Sequence, residues 1–217
     1  MFQDRKDAGR KLAEMLAGLP SLPAAVVLGL TRGGVPVAFE IARAHRLPLD
    51  ILVVRKLGAP GQRELAVGAV AKGVMTLNPE VVSALHLSEE WIRTAAEHAA
   101  AEIASLETLY RGAYPPIKTA GRTVILVDDG LATGASMRAA ARAVRPVAQQ
   151  LVIAVPVAAA SVCRAFESEA DRIVCLATPE GFEAVGQFYR DFSPTGNDEV
   201  RALLADARAG MRSSPPA

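Results

Sequence analysis

The chain of 217 residues carries 24 Lys and Arg against 23 Asp and Glu, a formal net charge of +1, with 51% apolar and 22% charged residues. That balance excludes a disordered chain and leaves no basic field to draw nucleic acid or anionic membrane, and a chain this long buries roughly 70% of its unfolded surface without staples. The two cysteines, Cys163 and Cys175, form no C-x-x-C pair, which argues against a disulfide framework or structural zinc and for a reducing compartment.

The first seven residues are charged and lack the apolar core of a secretory signal. Residues 146–163 carry no charge, but Gln149, Gln150, Pro156 and Ser161 interrupt them, so they read as a buried strand and a helix start rather than a membrane span. A soluble, cytoplasmic protein is expected.

Residues 5–18 read as an amphipathic helix ending near Gly18 and Pro20. A short apolar run, 25–30, is followed by Thr31-Arg32-Gly33-Gly34 and a helix over 35–45. A second apolar run, 49–54, leads to a loop at 57–63 marked by Gly58, Pro60 and Gly61, and then to a third strand, 65–71. Residues 78–111 read as helices: Asn78-Pro79 is one start, and Ser88 with Glu89 and Glu90 a second. Strands at 124–127, 151–157 and 173–177 then alternate with helices at 136–144, 161–169 and 198–208, and the tail 213–217 is expected to be loose. Short apolar runs without alternation suit strands buried on both faces, so the expected fold is α/β: three layers, doubly wound around a mostly parallel sheet.

Ligands of such sheets bind beyond the carboxyl ends of the strands. The strongest pattern there is Val124 to Ser136: four apolar residues, Asp128-Asp129, then the small-residue loop Gly130-Leu131-Ala132-Thr133-Gly134-Ala135-Ser136 opening a helix. Free amides and the positive dipole end of a helix suit a phosphate, and Thr133 and Ser136 add hydroxyl donors. Two acids beside a phosphate cradle make sense when the ligand also carries hydroxyls or a divalent cation, as a sugar phosphate does. The Walker loop and the Gly-x-Gly-x-x-Gly dinucleotide fingerprint both fail here.

The 13-residue pattern resembles the signature of the type I phosphoribosyltransferases, and the whole chain looks most like uncharacterised bacterial phosphoribosyltransferase-like proteins. The resemblance covers about residues 24–72 and 121–178, with 78–111 as a helical insertion or hood, in one domain spanning 1–217. It implies a sheet of about six strands in the order 3-2-1-4-5-6 with strand 3 antiparallel. It implies that Asp128 and Asp129 hold the ribose hydroxyls of 5-phosphoribosyl-1-pyrophosphate (PRPP) and touch Mg²⁺ through water, while 130–136 hold the 5-phosphate. Thr31, Arg32, Gly33 and Gly34 then take the pyrophosphate. Arg55 and Lys56, at the start of a mobile loop that resembles that of the adenine enzymes, balance its charge. The implied reaction transfers phosphoribose to a nitrogen of a small acceptor with release of pyrophosphate, in a homodimer. Ala132 stands where the 6-oxopurine enzymes carry an Asp, which argues against hypoxanthine or guanine.

For the acceptor, Glu64 could act as an acid or base, and Phe182 and Tyr189 could stack on a flat base, packing being the plainer reading of both rings. His45, His86 and His98 have no ligand spacing, Cys175 reads as core, and Trp91 as a packing or dimer contact. Two rivals remain: a non-catalytic PRPP sensor, disfavoured by the missing basic stripe, and a phosphatase- or receiver-like fold, which has no need of Thr133 to Ser136.

Overall fold

The computed structural model describes residues 1–212, and within them not the side chains of Pro23, Arg63, Glu64 and Arg212. The expected loose tail at 213–217 lies outside the described residues. Strands β1 (Val26–Leu30), β2 (Leu49–Leu52), β6 (Thr123–Val127), β7 (Gln150–Val157) and β8 (Arg172–Ala177) form a parallel sheet in the order β2-β1-β6-β7-β8. β1, β2 and β6 are buried at every residue, as strands covered on both faces must be.

Alternate side chains serve two cores. Val27, Ile125, Val127, Val152 and Ala154 point into one, with helices α1 (Arg5–Leu16), α2 (Gly34–His45) and α7 (Asn197–Arg212). Val26, Leu28, Leu126, Ile153 and Val155 point into the other, with α5 (Ala135–Val144) and α6 (Ala160–Phe166). The three-layer, doubly wound fold read from the sequence is therefore the observed one.

The expected third strand of that sheet lies elsewhere. The β1–β2 register ends at Leu30↔Leu52, and the chain leaves the sheet at Val53. It continues as β3 (Val54–Ala59) and returns antiparallel as β4 (Gln62–Ala71), with β5 (Val74–Leu77) completing a separate three-stranded sheet. The return strand is antiparallel as expected, but its partner is the continuation of strand 2. Pro60-Gly61 is the two-residue turn between β3 and β4, with Gly61 at φ 73°. Lys72-Gly73, both at positive φ, make the turn between β4 and β5. The residues read as a loop at 57–63 are thus mostly ladder, and Arg55 and Lys56 sit within β3 rather than at the end of β2.

Helices α3 (Pro79–Ala84) and α4 (Glu89–Arg111) occupy the expected helical insertion; the Ser88 hydroxyl caps α4 by accepting from Trp91 N at 3.2 Å. Trp91 packs half-buried against the core that also takes in Ala99 and Ile103 further along α4. The small sheet lies between α4 and α5. Leu57, Ala59, Val67 and Val70 join the α4 core, and Ala69 and Ala71 meet Ala139 of α5. At the end of α4, buried Arg111 donates to Asp50 Oδ1 at 2.9 Å and to Ile51 O at 2.9 Å, while Asp50 Oδ2 accepts from Ile117 N at 2.9 Å. This buried pair ties the insertion to the edge of the main sheet.

Candidate functional site

Gly29 of β1 pairs with Val127 of β6, so the loops after these strands leave the sheet side by side. Their contact is tight. A Cβ on Gly33 would stand 2.0 Å from Asp129 Oδ2, and one on Gly34 would stand 2.5 Å from Val127 O and 2.8 Å from Asp128 Cα. Only glycines let the 31–34 turn lie against the two acids. Thr31 and Arg32 are joined by a cis peptide bond.

Asp128 is partly buried, and burial pushes its carboxyl well above the usual range. The Asp129 charge adds to this, and Arg5 and Lys56 oppose it. Burial also raises Asp129, against the Arg5 charge beside it. Asp128 Oδ1 accepts from Asp129 N at 2.9 Å, which folds the acid turn on itself. Beyond it, Leu131 N donates to Val157 O at 2.9 Å and anchors the loop on β7. Gly134 caps α5 at φ 74°, a conformation that side chains rarely adopt. Thr133 is exposed, and its hydroxyl faces Ala135 N at 3.4 Å. The amides of the first α5 turn have no helical carbonyl to pair with, and the dipole end there is positive. The arrangement offers anion donors on one side, carboxylate acceptors in the centre and the 31–34 turn on the other.

Arg5 and Phe192, at the acid pair, are outside the expected site residues, and Tyr189, read as a stacking or packing ring, joins them there. Arg5, on the first turn of α1, donates from Nε to Asp129 Oδ2 at 2.8 Å and from Nη1 to Ser193 O at 2.7 Å. Its guanidinium stacks on Phe192, 3.9 Å from the ring centre. Tyr189 donates its hydroxyl to Asp129 O at 2.6 Å, and its ring sits against Phe2 and Phe192, so the packing reading of Tyr189 holds. Burial and the neighbouring acids push its phenol up. No local motif marks Arg5, which lies 124 residues from its partner.

The other expected residues are distributed as follows. Lys56 acts on the Asp128 charge from β3. Arg55 turns to α4, 3.0 Å from Glu102 Oε2, as an ion pair without hydrogen-bond alignment. Arg32 is exposed, and its charge and that of Arg55 both reach Tyr110 of α4. Phe182 stacks on Phe188 at 5.5 Å, which occupies one face of its ring. The Glu64 side chain lies outside those described. Cys175 is half-buried, its thiol pushed up to about 12 chiefly by burial, so it packs as a thiol. His45 bonds Ala13 O at 2.9 Å.

The phosphoribosyl transferase domain family matches this chain over residues 4–193. Two curated relatives of Mycobacterium tuberculosis, strains CDC 1551 / Oshkosh and ATCC 25618 / H37Rv, are each named "Putative phosphoribosyl transferase". Each is 48% identical over 206 residues, 94% of this chain and 46% of theirs. The chain thus spans about half the length of the curated relatives it matches. The crystal structure of TT1426 from Thermus thermophilus is similar at 41% identity and a TM-score of 0.80, over 94% of this chain and 98% of that one. With this coverage and the acid–glycine turn at adjacent strand ends, the chain belongs to the phosphoribosyl transferase domain family.

Proposed function

We propose that this chain, as one domain over 1–217, uses PRPP and Mg²⁺ to transfer phosphoribose to a nitrogen of a small acceptor, a nucleobase or similar heterocycle, releasing pyrophosphate. The observation that carries the reading is the close contact of the 31–34 turn with Asp128 and Asp129, beside the open first turn of α5. The three parts match the three parts of the donor: pyrophosphate, ribose hydroxyls and 5-phosphate.

In this reading Asp128 and Asp129 accept from the ribose hydroxyls and fix the sugar. The 130–136 loop, through its amides and the hydroxyls of Thr133 and Ser136, holds the 5-phosphate. Thr31 to Gly34 orient the pyrophosphate, and Arg32, Arg55 and Lys56 neutralise charge that grows on it as the bond to C1 lengthens. The β3–β4 hairpin excludes water from the cationic sugar. Phe182 remains the proposed acceptor contact, through its second face, and Glu64 the proposed acid or base for the acceptor.

Among the described residues no group of three or more His, Cys, Asp or Glu could hold a metal ion. Two burial-raised carboxylates fit an ion carried mainly by ligand phosphates and water, as Mg²⁺ usually is. Asp128 and Asp129 would touch it through water, and bound Mg²⁺ would supply charge neutralisation at the pyrophosphate. A cytoplasmic homodimer is part of the same proposal. No helix among the described residues is long and apolar enough to cross a membrane.

The test is Mg²⁺-dependent pyrophosphate release from PRPP over a panel of free bases, adenine first because Ala132 replaces the Asp of the 6-oxopurine enzymes. Release above the acceptor-free background, lost in Asp128→Asn/Asp129→Asn, is expected. PRPP binding with no release for any acceptor would favour the sensor.

A further inference from the structure

We infer that Arg5 is a positioning residue of the sugar subsite, which holds Asp129 Oδ2 so that Oδ1 is left to accept from a ribose hydroxyl; this rests on the PRPP reading above. Oδ2 is crowded. Arg5 Nε lies 2.8 Å away, and the Gly33 backbone lies so close beside it that a Cβ there would be 2.0 Å from Oδ2 and 3.3 Å from Arg5 Nε. A carboxylate with one oxygen bonded and crowded this way turns less freely, and its second oxygen is the one left open to a ligand.

Arg5 is itself fixed. Its side chain is 11% exposed and that of Asp129 16%, so the pair is shielded from the solvent that weakens surface bridges. Ser193 O takes a second guanidinium hydrogen and Phe192 supports the plane. These contacts depend on a clasp between the first residues of the chain and the 188–191 segment that precedes α7. Phe2 N donates to Phe188 O at 2.7 Å, Arg190 N to Phe2 O at 2.9 Å, and Asp191 N to Gln3 O at 2.9 Å. The same clasp brings the Tyr189 hydroxyl to Asp129 O. Asp129 is therefore held at its carboxylate from the N-terminal side and at its carbonyl from the C-terminal side. The tie thus ends on one of the two acids to which the proposed function gives the ribose.

The test is calorimetric titration of the full chain in Mg²⁺ with PRPP, ribose 5-phosphate and pyrophosphate, for wild type, Arg5→Gln and Arg5→Lys, beside their thermal unfolding. Arg5→Gln is expected to weaken PRPP and ribose 5-phosphate at least tenfold while pyrophosphate stays within twofold, and Arg5→Lys to return both sugar ligands to within threefold of wild type. Unchanged sugar-phosphate affinity in Arg5→Gln would overturn the inference. So would equal losses for all three ligands with a lowered Tm, the mark of a purely structural tie. Should Arg5→Gln not fold, Phe192→Leu carries the test. It removes the ring under the guanidinium, and a selective loss for ribose 5-phosphate of threefold or more supports the role, whereas no loss overturns it. A well-folded wild type that binds no PRPP contradicts the proposed function itself, a different outcome from wild-type binding that Arg5→Gln leaves intact.

Discussion

Asp128 ionises against its surroundings. Burial first, and the adjacent Asp129 charge second, hold its carboxyl well above the usual range. A carboxyl whose folded pKa is raised binds its proton more tightly in the folded state. Its contribution to stability is therefore complete below the unfolded value of 3.8 and is lost as pH rises through the folded value. Asp128→Asn removes that loss and can keep the acceptor for Asp129 N. The ligand-free variant should unfold at a higher temperature than wild type at pH 8, by about 2–4 °C for ~1 kcal/mol in a chain of this size. The two curves should converge near pH 4. A variant less stable than wild type at pH 8 would contradict the assigned cause. The acid pair and Gly33-Gly34 are legible in the sequence because each motif is contiguous and its residue types are few. Arg5, and the bond from Tyr189 to Asp129, are not, because both reach Asp129 through the clasp between the N-terminal residues and the 188–191 segment, which leaves no local pattern.

At the scale of elements, the β3–β4 hairpin carries two of the proposed pyrophosphate cations but does not present them alike. Arg55 is engaged by Glu102 of α4 at 3.0 Å, whereas Lys56 acts on the Asp128 charge. Glu102 is 64% exposed, so the pair is worth only ~0–1 kcal/mol to the fold, yet it competes for Arg55 with any pyrophosphate. Glu102→Gln should leave Tm within about 1 °C and tighten PRPP by about twofold or more, read by calorimetry; weaker PRPP binding would mean that Glu102 orients Arg55 rather than withholding it. The helices around 78–111 are legible from Asn78-Pro79 and from the Ser88 cap with its acids. Of the hairpin, the return strand at 65–71 is legible, but its first strand is not, because Pro60-Gly61 with Gly58 nearby reads as a loop as readily as a two-residue turn. β5 escapes the sequence reading because Lys72-Gly73 is an unusual pair for a turn with two positive φ values.

For the whole molecule, five parallel strands bring the β1 and β6 loops side by side, and the helical insertion and small sheet are secured to the edge by Asp50 and Arg111. The class of fold and the order of its parallel strands are legible because buried strands read as uninterrupted apolar runs and the acid motif carries the family's strand order with it. The separate small sheet is not, because nothing in residues 49–54 signals that the chain leaves the main sheet at Val53. The central claim is that the acid turn, the 31–34 turn and the α5 cradle form one PRPP site. Its most direct test is calorimetric titration of PRPP with Mg²⁺ into the wild-type chain and into Asp128→Asn/Asp129→Asn. Binding in the micromolar range by wild type, weakened at least tenfold in a well-folded double variant, is the predicted result. No binding by well-folded wild type, or equal binding by the two proteins, would contradict the claim.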